Sequence, residues 1–205
     1  MIGKENIPPE GRFIFASNHP LGALDGVALI RFFGHFYSGK IKFLVNDLLM
    51  HIKPLAPVFL PINKYGSQAK ESSLQINNAY ESDEQMLIFP AGLCSRLQHG
   101  KIKDLEWKKT FIAKAVQSQR DIIPIYFEGR NSTFFYRFAQ IRKCIGLKFN
   151  IELIYLPDEM FNSKNKTFDI YIGKPIPWQT FDKSKSLQEW AQIVKEKVYQ
   201  IKKNQ

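Results

Sequence analysis

Cysteine is scarce in this 205-residue sequence, where Cys94 and Cys144 stand alone. Two distant thiols make neither a disulfide framework nor a cysteine-rich metal site, and they fit a reducing compartment. No run of roughly eighteen or more apolar residues occurs, so this sequence holds no membrane-spanning helix. The opening "MIGKENIPPEG" lacks the charged-then-apolar layout of a secretory leader. Zinc-ligand spacing and an RNA-recognition signature are missing, which leaves nucleic acid without a motif. A Gly-x-Ser-x-Gly elbow is also missing, which counts against a serine hydrolase. Acidic residues are few, 19 against 29 Lys and Arg, for a net charge of +10. Such an excess attracts polyanions: nucleic acid, an anionic membrane surface, acidic carriers or phosphorylated substrates.

Apolar bulk is plentiful. Hydrophobic residues make up 44% of the chain and 17 are Phe, enough for one globular domain over residues 1–205 with a proper core. Buried strands are predicted over residues 12–17 ("RFIFAS"), 41–45 ("IKFLV"), 58–63 ("VFLPIN") and 85–90 ("QMLIFP"). Further strands are predicted over 121–128, 149–156 and 167–173, Pro124 marking an edge or bulge. Helices are expected over 26–36, 67–82, 106–119, 132–146 and the C-terminal segment. Leu187, Trp190, Val194, Val198 and Ile201 share one face of the last. In the 67–82 helix the apolar contacts expected are Ala69, Leu74, Ile76 and Ala79. This alternation of strands and helices predicts an α/β fold around a largely buried sheet.

"SNHPLGALDG" (Ser17 to Gly26) joins a strand to a helix and sets His19 near Asp25. An imidazole at a helix start can take a proton from a hydroxyl when a carboxylate fixes its tautomer. Gly22 and Gly26 would let the backbone fold tightly enough for Asp25 to reach back. The same residues also fit an ordinary turn, with Asp25 as N-cap. In "FPAGLCSR" a strand end is followed by Ser95 and Arg96. This suits an anionic group, or else is a turn with a surface Arg. Lys64 in "PINKYGS" is either a point-charge ligand or a solvated loop residue.

Taken in order, "NHPLGALD", "PINK", "FPAGLCSR" and "IIPI" resemble the blocks of the glycerolipid acyltransferase family, which includes the 1-acyl-glycerol-3-phosphate acyltransferases. The family's blocks are Asn-His-x-x-x-x-Asp, Ile-x-Arg, Phe-Pro-Glu-Gly-Thr-Arg-Ser and an apolar block around Pro. Here five residues separate His19 from Asp25, Ala91 replaces the Glu, Lys64 replaces an Arg, and Arg96 stands later than the motif's Arg. The variant is similar to a bacterial branch, some members of which resemble enzymes that O-acylate lyso-ornithine or lyso-glycine lipids, so the departures bear on the acceptor more than on the reaction.

The resemblance implies a mixed sheet flanked by helices, as in glycerol-3-phosphate acyltransferases. His19 would be the general base and Asp25 its partner, with Asn18, Lys64, Gly92, Ser95 and Arg96 binding substrate. It implies an acyl carrier protein or coenzyme A thioester as co-substrate, a lyso-lipid acceptor such as 1-acyl-glycerol-3-phosphate with a lyso-ornithine or lyso-glycine lipid as the alternative, and no metal or cofactor. An anionic membrane surface at the inner face of the cytoplasmic membrane is the expected setting, with "FFYRFAQIRK" as an interfacial helix or a core helix with a basic edge. In that family "G-x-ENIP" follows an upstream membrane-associated helical segment, which residues 1–205 would lack. Two rivals are a hydrolase in which His19 activates water, and an inactive basic lipid- or nucleic-acid-binding domain.

Overall fold

The computed structural model describes residues 1–45, 49–50, 52–62, 68–147 and 149–204. Its centre is β1 (Phe13–Ser17), all five residues of which are buried. Parallel neighbours flank it: β4 (Gln85–Ile88) on one side and β7 (Asp121–Phe127) on the other. Beyond β4 lie β2 (Ile41–Val45) and then β3 (Phe59–Pro61), also parallel. Beyond β7 lies β8 (Ile170–Ile172), the antiparallel edge that makes the sheet mixed.

A parallel sheet needs cover on both faces, and successive residues of β1 supply both cores. Phe15 packs with Leu29 and Phe33 of α1 (Leu24–Phe36) on one face. Ile14 and Ala16 face the other side. There they share a core with Tyr80 of α2 (Gln68–Glu81), Phe111 of α3 (Thr110–Ser118) and Val194 of α6 (Leu187–Ile201). A short hairpin, β5 (Arg96–Gln98) with β6 (Lys101–Lys103), follows β4 outside the sheet. Last come α4 (Thr133–Cys144) and α5 (Leu156–Phe161).

Pro124 sits inside β7, at a bulge. Ile122 pairs with Ile176 and Ile125 with Ile172, so one extra residue lies opposite it. The missing N–H therefore faces no waiting carbonyl, and its C=O accepts the Gly173 N–H at 2.9 Å.

Three expectations are corrected. Residues 149–156 form no strand: Ile151–Tyr155 is a 3-10 turn that runs into α5. Glu152 must point inward there to meet two arginines, while Phe149 and Ile154 point out. The helix expected from 106 begins at Thr110, because Trp107 is anchored separately. In α2, Leu74 is 60% exposed; of the other contacts expected, Ala79 is buried beside Tyr80 and Ile76 packs half-buried against the same core, while the side chain of Ala69 lies outside those described. Gly146, expected to end α4, does so at φ +76°, with its N–H on the Lys143 carbonyl.

Candidate active site

Ligands in open α/β sheets bind outside the carboxyl ends of the strands. Here β1 and β4 are neighbours, so the chains leaving them run side by side. The Ser95 N–H donates to the His19 carbonyl at 2.7 Å, and the His19 ring stacks on Phe89 with centroids 3.8 Å apart. The His19 N–H donates to Asp104 Oδ1 at 3.2 Å. Backbone and ring of His19 are thus fixed before any substrate arrives.

Asp25 is fully buried in the first turn of α1, with Ala23 rather than Asp25 as N-cap. Its Oδ2 lies 3.0 Å from His19 Nδ1 and accepts the Leu21 N–H at 2.9 Å. Its Oδ1 accepts the Gly26 N–H at 2.9 Å. Burial pushes this carboxyl up, but the His19 charge and these donors outweigh it and hold the group below its ordinary value. A carboxylate on Nδ1 makes that nitrogen the donor and leaves Nε2 as the acceptor, the form a general base requires. The longer spacing is absorbed at Gly22, whose φ of +81° is left-handed. A Cβ there would lie 2.8 Å from Leu156 Cδ2.

His19 lines a cavity of about 220 Å³. Its walls are mostly apolar, with Val27 and Ile30 from α1, Phe43 and Val45 from β2, and Phe59 and Phe89. Gly92 and Lys108 also line it.

The other residues singled out in the sequence have varied placements. Asn18 is buried, and its amide clamps the end of β7, accepting the Phe127 N–H at 2.6 Å and donating to its carbonyl at 2.9 Å. Ser95 is buried and donates to Asp104 Oδ1 at 2.6 Å. Arg96 donates to Glu152 Oε1 at 2.9 Å and to the Cys94 carbonyl at 3.0 Å. Arg142 Nε lies 2.8 Å from Glu152 Oε2, an ion-pair contact too poorly aligned for a hydrogen bond. Neither Ser95 nor Arg96 lines the His19 cavity. Gly92 does, at φ +70°. Lys64 lies outside the described residues.

Two residues were not visible as site residues in the sequence. Asp104 gathers the His19 N–H, the Ser95 hydroxyl and the Trp107 indole, the last at 2.9 Å. Burial raises its carboxyl above the ordinary value despite those donors. Lys108 reaches the cavity from a stretch whose periodicity reads as helix. Neither belongs to a motif, and no local pattern marks either.

A buried His–carboxylate pair at the mouth of an apolar cavity, outside the carboxyl ends of a parallel sheet, is a constellation for acyl chemistry on an amphiphile. A family model described as "Acyltransferase" matches residues 1–205. The chain belongs to that acyltransferase family and is an enzyme of acyl transfer. It is 57% identical over 199 residues to a lyso-glycine lipid O-acyltransferase of Bacteroides thetaiotaomicron, covering 97% of this chain and 73% of that protein. A protein of the same name from Phocaeicola vulgatus is 54% identical over 199 residues, covering 97% and 71%. The solved 1-acyl-sn-glycerophosphate acyltransferase PlsC of Thermotoga maritima shares the fold. Its TM-score is 0.57 at 19% identity, over 98% of this chain and 70% of that one.

Proposed function

We propose that the chain moves a fatty acyl group from a thioester of acyl carrier protein or coenzyme A to the hydroxyl of a lyso-glycine lipid. The observation that carries the chemistry is the 3.0 Å contact of His19 Nδ1 with buried Asp25 beside the apolar cavity. His19 Nε2 takes the acceptor's hydroxyl proton as that oxygen attacks the thioester carbonyl. The new C–O bond forms, the C–S bond breaks, and the leaving thiolate takes the proton back from the imidazolium. Asp25 supports the cation, and no acyl-enzyme, metal or cofactor takes part. The acyl chain lies against Val27, Phe43 and Phe59. The relatives' high identity supports the glycine-lipid acceptor over a glycerol phosphate, and so does Ala91 in place of the motif's Glu.

The same reading places the protein peripherally on the inner face of the cytoplasmic membrane. Support comes from the α4–α5 region, where Phe149, Ile154 and Phe161 are 80%, 76% and 72% exposed and Ile141 and Ile145 are exposed beside them. Residues 130–166 carry seven Lys or Arg against three Asp or Glu. Exposed apolar side chains in a segment with an excess of cations suit an anionic lipid surface. Leu156 of this region packs against Gly22, so the face adjoins the catalytic turn.

The test is a transfer assay with both thioesters against lysophosphatidate, lyso-ornithine and lyso-glycine lipids. The expected result is acylated glycine lipid from the native chain and none from His19→Ala. Free fatty acid as the sole product would make it a hydrolase, and no turnover with any acceptor would leave a lipid-binding domain.

A further inference from the structure

We infer that Asp104 is a positioning residue for the transfer: its carboxylate holds the main chain of His19, as Asp25 holds the ring, and keeps Nε2 aimed at the cavity. This rests on the acyl-transfer reading above. His19 lies two residues beyond Ser17, where β1 and its pairing with β7 end. Its N–H and carbonyl therefore need partners other than a strand. Asp104 and Ser95 supply them. The N–H donates to Asp104 Oδ1 at 3.2 Å, and the carbonyl accepts the Ser95 N–H at 2.7 Å. The Ser95 hydroxyl closes the set on the same Asp104 oxygen at 2.6 Å, the length of a charge-assisted O–H···O bond. One carboxylate oxygen thus ties the turn after β1 to the turn after β4, at the catalytic histidine itself.

Asp104 is in turn held from three directions. Its Oδ2 accepts the indole N–H of Trp107 at 2.9 Å, and Trp107 is wholly buried. Its own N–H donates to the Tyr199 hydroxyl at 2.8 Å, and its carbonyl accepts from Lys195 Nζ at 2.9 Å, both on α6. Gln98 of β5 reaches the same carbonyl at 3.2 Å. The Trp107 carbonyl adds bonds from Gln188 at 2.9 Å and Gln192 at 2.8 Å, again from α6. Since α6 packs on the face of the sheet opposite α1, Asp104 fastens His19 to the rigid core rather than to another loop.

The residue type points the same way. The carboxylate's partners are all donors: an amide N–H, a hydroxyl and an indole N–H. Among the described residues no salt bridge reaches it. A buried carboxylate among such donors is costly, and burial holds this group above its ordinary value. An amide would cost less to bury, but it has one acceptor and one NH2. With its oxygen on His19 and Ser95, that NH2 would face the indole N–H. Turned the other way, it would release both turns. Only an acceptor at each oxygen satisfies the cluster, and what the cluster secures is the histidine. A local cost of this kind belongs at a functional site.

The test measures kcat per folded molecule and the KM of both the thioester and a lyso-glycine lipid. It compares the native chain, Asp104→Asn, Trp107→Phe and the double variant. Asp104→Asn should lower kcat about ten- to a hundred-fold with both KM values unchanged, as a misplaced base does. The double variant should be less stable than Asp104→Asn yet faster, because its amide can turn the NH2 to the phenyl ring and return the oxygen to His19. A merely structural Asp104 predicts no such recovery. An unchanged kcat in Asp104→Asn overturns the inference, as does a double variant no faster, or a raised KM for one substrate with kcat kept. If Asp104→Asn does not fold, it is compared with Asp104→Ala in the Trp107→Phe background. There the amide should be about ten-fold faster than the methyl, and equal rates overturn the inference. A native chain that transfers nothing sinks the acyl-transfer reading and this role with it, whereas an active one with an unaffected Asp104→Asn sinks this role alone.

Discussion

The turn after β1 and the turn after β4 leave neighbouring strands at the same end of the sheet, yet they use their polar side chains in opposite ways. In the first, His19 faces the cavity with Asp25 behind it. In the second, Ser95 and Arg96 turn into the protein, to Asp104 and Glu152, and only Phe89 and Gly92 reach the cavity. The second turn therefore acts as a frame for the first. It supplies the stacking ring, the donor to the His19 carbonyl and the space for Lys108. A residue's place in a motif does not say which way its side chain points. That is decided by which buried carboxylate competes for it.

Substitutions in the two turns should fail in different ways, and the largest effect belongs to the first. His19→Ala should lower transfer about a thousand-fold or more, far beyond the modest fall in melting temperature expected because buried Asp25 loses its ring partner. Asp25→Asn should cost somewhat less, about a hundred- to a thousand-fold in kcat, by misplacing the tautomer. In the second turn, Arg96→Met should leave both KM values unchanged and lower stability by about 3 kcal/mol, because Glu152 keeps only the poorly aligned Arg142 contact. Steady-state kinetics and urea midpoints on one set of samples decide the matter. A raised acceptor KM with native stability in Arg96→Met would break the contrast.

Much of this was legible in the sequence where the signal is local. Strands β1, β2, β4 and β7 are apolar runs with turn residues at their ends, and α6 has a clear apolar face. The glycine that lets Asp25 reach His19 was also legible, because a spacing one residue longer needs a left-handed position and Gly22 can take it. What escaped depends on distant partners. Glu152 meets Arg96 across 56 positions, and that contact turns an alternating segment away from strand. Asp104 meets His19 across 85 positions, and Trp107 meets Gln192 across 85, which unwinds the start of the expected helix. Leu74 was read as core from periodicity, but the sheet's far face is already filled by Ala79 and Tyr80.

The smallest predicted effect separates the two buried carboxylates that flank His19. Asp25 is held below its ordinary 3.8 in the fold, so near that pH the unfolded chain binds more protons. Its contribution is complete above the ordinary value and is lost as pH falls through the depressed one. Asp104 is raised above 3.8, so over its window the folded chain binds more protons, and ionising it costs stability as pH rises. Urea midpoints for Asp25→Asn and Asp104→Asn, each relative to the native chain, should therefore have opposite slopes. Relative stability should decline with rising pH up to about the ordinary value for the first. For the second it should climb above that value, then level once Asp104 is ionised in the native fold. Parallel curves would mean that the two carboxylates share one environment, and the division between a catalytic turn and its frame would then have no electrostatic basis.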